Sequence, residues 1–269
     1  MAFRAGVRPL RATPGASDTF GLGCAPIGNL YRAVAEADAE ATVAAALAHG
    51  IRFFDTAPHY GAGASELRLG RGLAGVDRDT VSIATKVGRR IVDAEGAAVP
   101  AGGVGTATVG DLSADGVLRS VDGSLRRLGT DRIDLLYLHD PADVDEPLRG
   151  ALLLDRTAES GLLPAAAERG VGVIAAGVYN SGILADPEGS PYFDYREAAP
   201  ELRDRAVALR GLCRSRGVQL SHAAARYPLQ HAAVDAVVVG ARTPEEVAAI
   251  AAAERAPIPD DLWAELEAV

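Results

Sequence analysis

The chain has 269 residues, of which 48% are apolar, and a net charge of −9 at neutral pH. An acidic surface repels phosphate backbones and anionic lipid, so nucleic acid and membrane partners are excluded as first readings. No apolar run approaches the ~20 residues of a membrane span. Cys24 and Cys213 have neither the spacing nor the His neighbours of a metal or redox motif. Both are expected to be reduced, buried thiols, and no metal site is expected. Met1–Arg4 has no signal-peptide character, and a cytoplasmic location follows as an expectation.

Strand-like apolar runs alternate with helical patterns along the chain. Phe20–Pro26 is a first strand, and the Ala-rich stretch Val34–His49 a helix that Gly50 stops, with His49 as its C-terminal cap. Ile51–Thr56 is a second strand, Ala64–Leu73 a helix, and Val81–Val87 a third strand. Arg89–Asp111 has no periodicity and reads as a long loop. Ser113 caps a helix that runs through Leu128 to Gly129; its Arg126-Arg127 pair reads as a solvated end. Ile133–His139 is a fourth strand, Thr157–Arg169 a helix ending at Gly170, and Val171–Ala176 a strand. Ala199–Arg216 is helical, Ser221–Tyr227 is a short helix, Ala236–Gly240 the last strand and Pro244–Glu254 the last helix. Trp263 reads as a packing anchor. No composition shift divides the chain, so residues 1–269 are expected to form a single domain.

This alternation means parallel β with helices outside it. Polar residues decide between barrel and open sheet. Asp55, Lys86 and His139 each end a strand, with Tyr60 in the loop beyond Asp55, and a barrel brings the C-terminal ends of its strands to one site. An open dinucleotide-binding sheet would instead place a Gly-rich turn after its first strand, and Gly21-Leu22-Gly23 is followed by Cys24-Ala25-Pro26. Lys86 is the only lysine in the chain. Where arginine serves every other cationic need, a retained lysine marks a place for a compact point charge. The four side chains form a coherent acid/base set. A cation beside a phenol favours phenolate. A phenol so tuned can exchange a proton with a carbonyl or hydroxyl oxygen, and an imidazole can orient that oxygen.

The stretch Phe54-Asp55-Thr56-Ala57-Pro58-His59-Tyr60-Gly61, with Ser65-Glu66 and Leu69-Gly70, is similar to the motif of the aldo-keto reductase family around its catalytic Asp and Tyr. Ile83–Val87 resembles the strand bearing the family's catalytic Lys, and Ser124–His139 the stretch leading to its catalytic His. Ala176–Leu184 and Gly240–Val247 look most like the aldose dehydrogenase branch. The resemblance implies a TIM-type (β/α) barrel and transfer of hydride between a nicotinamide cofactor and an aldose, lactol or aldehyde. It assigns Tyr60 as general acid/base, Lys86 as the cation that tunes it, Asp55 as the group orienting Lys86, and His139 as the group positioning the reacting oxygen. His59 is expected to line the pocket or to donate to substrate.

The family has eight strands, and six are clear here. The barrel is therefore expected to be incomplete, short of about one to two βα units after the fourth strand, and the Ser-Asn and Gln positions that hold the nicotinamide carboxamide have no counterpart. Ser181-Gly182 could offer backbone N–H groups to a pyrophosphate, or be an ordinary turn. Gly240, Ala241, Arg242 and Glu246 align with the family's adenosine end. A carboxylate at Glu246 disfavours a 2′-phosphate, so NAD is expected, with NADP open through Arg242. The partner is a small carbonyl or sugar substrate, with a homo-oligomer left open. The alternative is a relative that has lost hydride transfer and acts as a non-redox enzyme or a binding or regulatory protein.

Overall fold

The computed structural model describes residues 17, 19–139 and 153–269. The stretch 140–152, where the sequence places the gap in the barrel, lies outside the described residues. The described residues divide into two compact units, one of residues 17, 19–139 and 240–248, the other of residues 153–239 and 249–269.

The first unit is organised by parallel strands β1 (Phe20–Gly23), β2 (Phe53–Asp55), β3 (Ser82–Val87) and β6 (Leu135–Leu138), in the order β6-β3-β2-β1. Phe20, Leu22, Phe53, Phe54 and Ile83 are buried on them, as expected where both faces of a parallel sheet are covered. Helices α1 (Glu36–Ala48), α2 (Ala64–Gly72) and α3 (Ala114–Leu128) follow β1, β2 and β3 in the chain, and α2 packs on both α1 and α3. A Cβ at Gly70 would stand 2.7 Å from the carbonyl oxygens of Arg127 and Leu128, so the approach of α2 to α3 needs glycine there. The Ser113 hydroxyl accepts from Gly116 N–H at 3.0 Å, and Gly129 closes α3 in the left-handed region (φ 64°), as the sequence indicates.

The expected long loop is different in the structure. Arg89–Val92 (β4) and Ala107–Gly110 (β5) pair as an antiparallel hairpin, Arg89 opposite Gly110 and Val92 opposite Ala107. Ile91 and Val92 are buried, which gives the hairpin its hold. Alternation is too brief in each strand to stand out among the glycines and alanines between them.

The other unit holds α4 (Leu162–Arg169), β7 (Val173–Ala176), a small hairpin of β8 (Tyr192–Phe193) and β9 (Arg196–Glu197), α5 (Pro200–Ser215), α6 (Leu220–Arg226), β10 (Val234–Gly240) and α8 (Asp260–Glu267). Helix α7 (Pro244–Arg255) runs from the first unit into it. Strand β10 pairs in parallel with β7. Leu153, Leu184, Leu209, Cys213 and Leu262 form a buried core against which Trp263 packs. The β8–β9 hairpin and α8 were not expected. Cys24 and Cys213 are both buried. No helix among the described residues is long and apolar enough to cross a membrane.

Candidate active site

Strand register sets the site. Asp55 ends β2, one strand from Lys86 near the end of β3, and Lys86 lies opposite Tyr137 of β6. The Lys86 ammonium donates to both carboxylate oxygens of Asp55, at 2.9 and 2.8 Å, and to the Thr56 carbonyl at 2.9 Å. The same ammonium stands 4.7 Å from the centre of the Tyr60 ring. His139 is buried, and its ring meets that of Tyr60 edge-on at 5.5 Å. The structure thus brings together all four residues singled out from strand ends and the following loop. Tyr60 is half-buried.

The loop carrying Tyr60 is tightly held. Gly61 has φ 61°, and a Cβ there would meet the Gly28 carbonyl oxygen at 2.4 Å, so no other residue fits without a shift. The Thr56 hydroxyl bonds Ser65 Oγ at 2.8 Å, and Ser65 Oγ donates to the Cys24 carbonyl at 2.7 Å. His59 is exposed. Its Nδ1 shares a 2.6 Å hydrogen bond with the Thr108 hydroxyl of β5, and its ring lies edge-on to His139 at 5.4 Å. The hairpin that composition concealed therefore reaches the site through His59.

Burial holds the Asp55 carboxyl above the usual carboxylate range, and the Lys86 charge pulls it back down. Burial, and then the Asp55 charge, push the Cys24 thiol up, so it is an inert packing group. Tyr137 also faces Lys86, 5.8 Å from its ring centre. Burial, and then Asp55, push the Tyr137 phenol up to about 12, which makes it a poor proton donor or acceptor near neutrality.

A second buried ion pair was misread from the sequence. Arg127 is not a solvated helix end. Its Nε donates to Glu66 at 2.7 Å, with Glu66 fully buried, and the Thr85 hydroxyl donates to the other Glu66 oxygen at 2.7 Å. Only Arg126 is exposed, paired with Asp122 at 3.0 Å. The signal was the RR doublet itself: on a helix, adjacent positions face about 100° apart, and one of them turned inward.

The cofactor candidates fall in both units. Gly240, Ala241, Arg242 and Glu246 lead into α7 in the unit of the four site residues. The Glu246 carboxylate accepts from the Arg242 backbone N–H at 2.8 Å, lies 3.7 Å from Arg242 Nε, and is 4.0 Å from Arg32. Ser181 and Gly182 belong to the other unit. There they form a turn with φ 63° and 113°, and Ser181 Oγ accepts from Tyr195 N–H at 2.8 Å.

The family model described as the Aldo/keto reductase family matches residues 19–151 and 150–269, two segments that meet within the stretch where the sequence places the gap. D-threo-aldose 1-dehydrogenase from a Pseudomonas species is 35% identical over 317 aligned positions, covering 96% of each chain. That span exceeds the 269 residues here, so the relative carries residues with no counterpart in this chain. Pyridoxal 4-dehydrogenase from Microbacterium luteolum is 34% identical, over 91% of this chain and 92% of its own. Among solved structures, an aldo-keto reductase from Bacillus halodurans in its holo form superimposes with a TM-score of 0.75 at 27% identity, over 97% of this chain and 95% of that one. The α/β fold is thus of the TIM-type barrel class.

Proposed function

The chain belongs to the aldo/keto reductase family and is an oxidoreductase that works with a nicotinamide cofactor; from that premise we propose that its substrate is an aldose, lactol or related aldehyde and that Tyr60, Lys86, Asp55 and His139 carry the chemistry. The observation that carries this reading is the Lys86 ammonium, held on three oxygens of Asp55 and Thr56 and set 4.7 Å from the Tyr60 ring centre. The names of the two curated relatives, an aldose dehydrogenase and a pyridoxal dehydrogenase, support the substrate class.

When bound, the nicotinamide supplies or accepts the hydride. The protein's part is the proton. In the reducing direction the Tyr60 phenol gives its proton to the carbonyl oxygen, and Lys86 stabilises the phenolate that remains. In the oxidising direction the phenolate takes the hydroxyl proton. Asp55 fixes the ammonium and offsets part of the cost of burying it. His139, edge-on to the Tyr60 ring, orients the same oxygen.

The residues at the start of α7 fit the adenosine end of a dinucleotide whose ribose is free at the 2′ position. The Glu246 carboxylate can accept from a ribose hydroxyl and already pairs with the two cations beside it, Arg242 at 3.7 Å and Arg32 at 4.0 Å. We therefore favour NAD over NADP. Titration of the purified protein with NADH and NADPH, read by nicotinamide fluorescence, tests the reading, with tighter NADH binding and NAD-dependent oxidation of aldoses as the expected result. Tighter NADPH binding would reverse the cofactor preference. The shortfall in length against the aldose dehydrogenase supports a second reading, a relative without hydride transfer, and binding of neither nucleotide would put that reading first.

A further inference from the structure

The β4–β5 hairpin and α3 line a cavity of about 370 Å³ to which none of Asp55, Tyr60, Lys86 and His139 contributes. Its lining includes four cationic side chains, Arg89, Arg90, Arg119 and Arg127, against one carboxylate, Asp122. Ile91, Val99 and Pro100 supply apolar wall.

Part of that charge is answered. Glu66 satisfies Arg127, and Arg126 takes Asp122. Arg119 pairs with Asp115 on the outside of α3. Asp111 stands 3.9 Å from Arg90 Nε and 3.7 Å from Arg119 Nη2, beyond hydrogen-bond range of both. Arg90 Nε and the Ser120 hydroxyl are buried with no hydrogen-bond partner among the described residues. Such groups are costly to leave unmade. The Arg90 and Arg119 side chains nevertheless remain 38% and 57% exposed, so their flexible ends can turn to a ligand.

We propose that this cavity is a binding site for a small organic anion, with an oxyanion head held by Arg90, Arg119 and Ser120 and a compact apolar body against Ile91, Val99 and Pro100. A guanidinium fork matches the geometry of a carboxylate or phosphate, and a concave site of this size with a few convergent polar groups is the usual form of a small-molecule pocket. Pro58, which also lines it, precedes the loop of His59 and Tyr60, so the site adjoins the proposed chemistry without sharing its groups.

Calorimetric titration of the full chain with benzoate and with phenyl phosphate, at ionic strength matched with chloride, tests this and separates the two head groups. Benzyl alcohol is the uncharged control. We expect saturable binding of at least one anion, none of benzyl alcohol in the same range, and at least tenfold weakening in both Arg90→Ala and Arg119→Ala. Ser120→Ala, a small change on α3, should weaken binding by a few-fold and covers the case in which an arginine variant loses its fold. No saturable binding of either anion, equal binding by all three variants, or displacement of the anion by NADH would each overturn the proposal.

Discussion

The two buried carboxylate–cation pairs of the first unit differ in what they leave open. Glu66 and Arg127 are closed, with side chains 0% and 4% exposed, and each Glu66 oxygen is taken by a donor from a neighbouring element. Asp55 and Lys86 are 12% and 13% exposed, and the ammonium that binds Asp55 also faces the half-buried Tyr60 ring. The closed pair uses arginine, whose planar fork spans α2 and α3. The open pair uses the chain's only lysine, whose compact charge can sit on three oxygens and still act on a phenol. One pair joins elements, while the other is arranged to do proton chemistry.

The largest effect should come from breaking the open pair's outlet. Tyr60→Phe should lower kcat and kcat/KM together by about 10²–10⁴-fold, since it removes the transferable proton, while NADH affinity stays within a few-fold of wild type. Lys86→Arg should be impaired to a similar degree because a guanidinium cannot reproduce the three ammonium contacts. Tyr137→Phe is the discriminating control. Its phenol is pushed up to about 12, so steady-state rates should fall by less than tenfold. A Tyr137 variant as dead as the Tyr60 variant would move the acid/base role to β6.

The closed pair should show the reverse pattern. Arg127→Ala leaves the Glu66 charge buried with only the Thr85 hydroxyl and no counter-charge, and removal of one partner from such a pair costs about 3–5 kcal/mol. Urea denaturation should report that loss, whereas Lys86→Met, at a less buried pair, should cost less stability and far more activity. If Arg127→Ala is as stable as wild type, the distinction between a joining pair and a working pair fails.

How legible these pairs were follows from what each residue does locally. Lys86 stood out because a single lysine among many arginines is a compositional anomaly, Asp55 and His139 because polar residues at the ends of apolar strands have few structural reasons to be there, and Tyr60 because it follows in the loop just beyond Asp55. Glu66 and Arg127 carry no such mark. Their burial depends on how α2 and α3 cross, set by glycines such as Gly70, and crossing is a tertiary fact. The hairpin at Arg89–Gly110 was hidden for a related reason: its strands are short and its connection is rich in small residues, so no period emerges. Helix starts and stops, by contrast, are local chemistry, and Ser113, Gly129 and Gly170 mark them as expected.

A subtler property of the open pair lies in its response to pH. Burial holds the folded Asp55 carboxyl above its ordinary range, so between that range and the raised value the folded state binds a proton that the unfolded chain has released. Stability must then fall as pH rises through that window and level off above it. Asp55→Asn has no such titration. The difference in urea midpoint between wild type and Asp55→Asn should therefore move against wild type as pH rises through the window. Parallel profiles, or a wild type that gains on the variant there, would show that Lys86 outweighs burial at this site.

The smallest effect is expected one residue from one of the largest. Arg126 precedes Arg127 on α3, has the same charge, and also pairs with a carboxylate, Asp122, at 3.0 Å. The difference is solvent. Arg126 and Asp122 are 62% and 52% exposed, so water screens their attraction and either partner left alone is simply hydrated. An exposed pair at i,i+4 contributes about 0.3–0.5 kcal/mol, and alanine's better helix propensity returns part of that in Arg126→Ala. The expected change in unfolding free energy is thus under about 0.5 kcal/mol, against several for Arg127→Ala measured in the same denaturant series. A cost above about 1.5 kcal/mol for Arg126→Ala would mean that the doublet acts as one unit and that the inward turn of Arg127 is not what separates the two arginines.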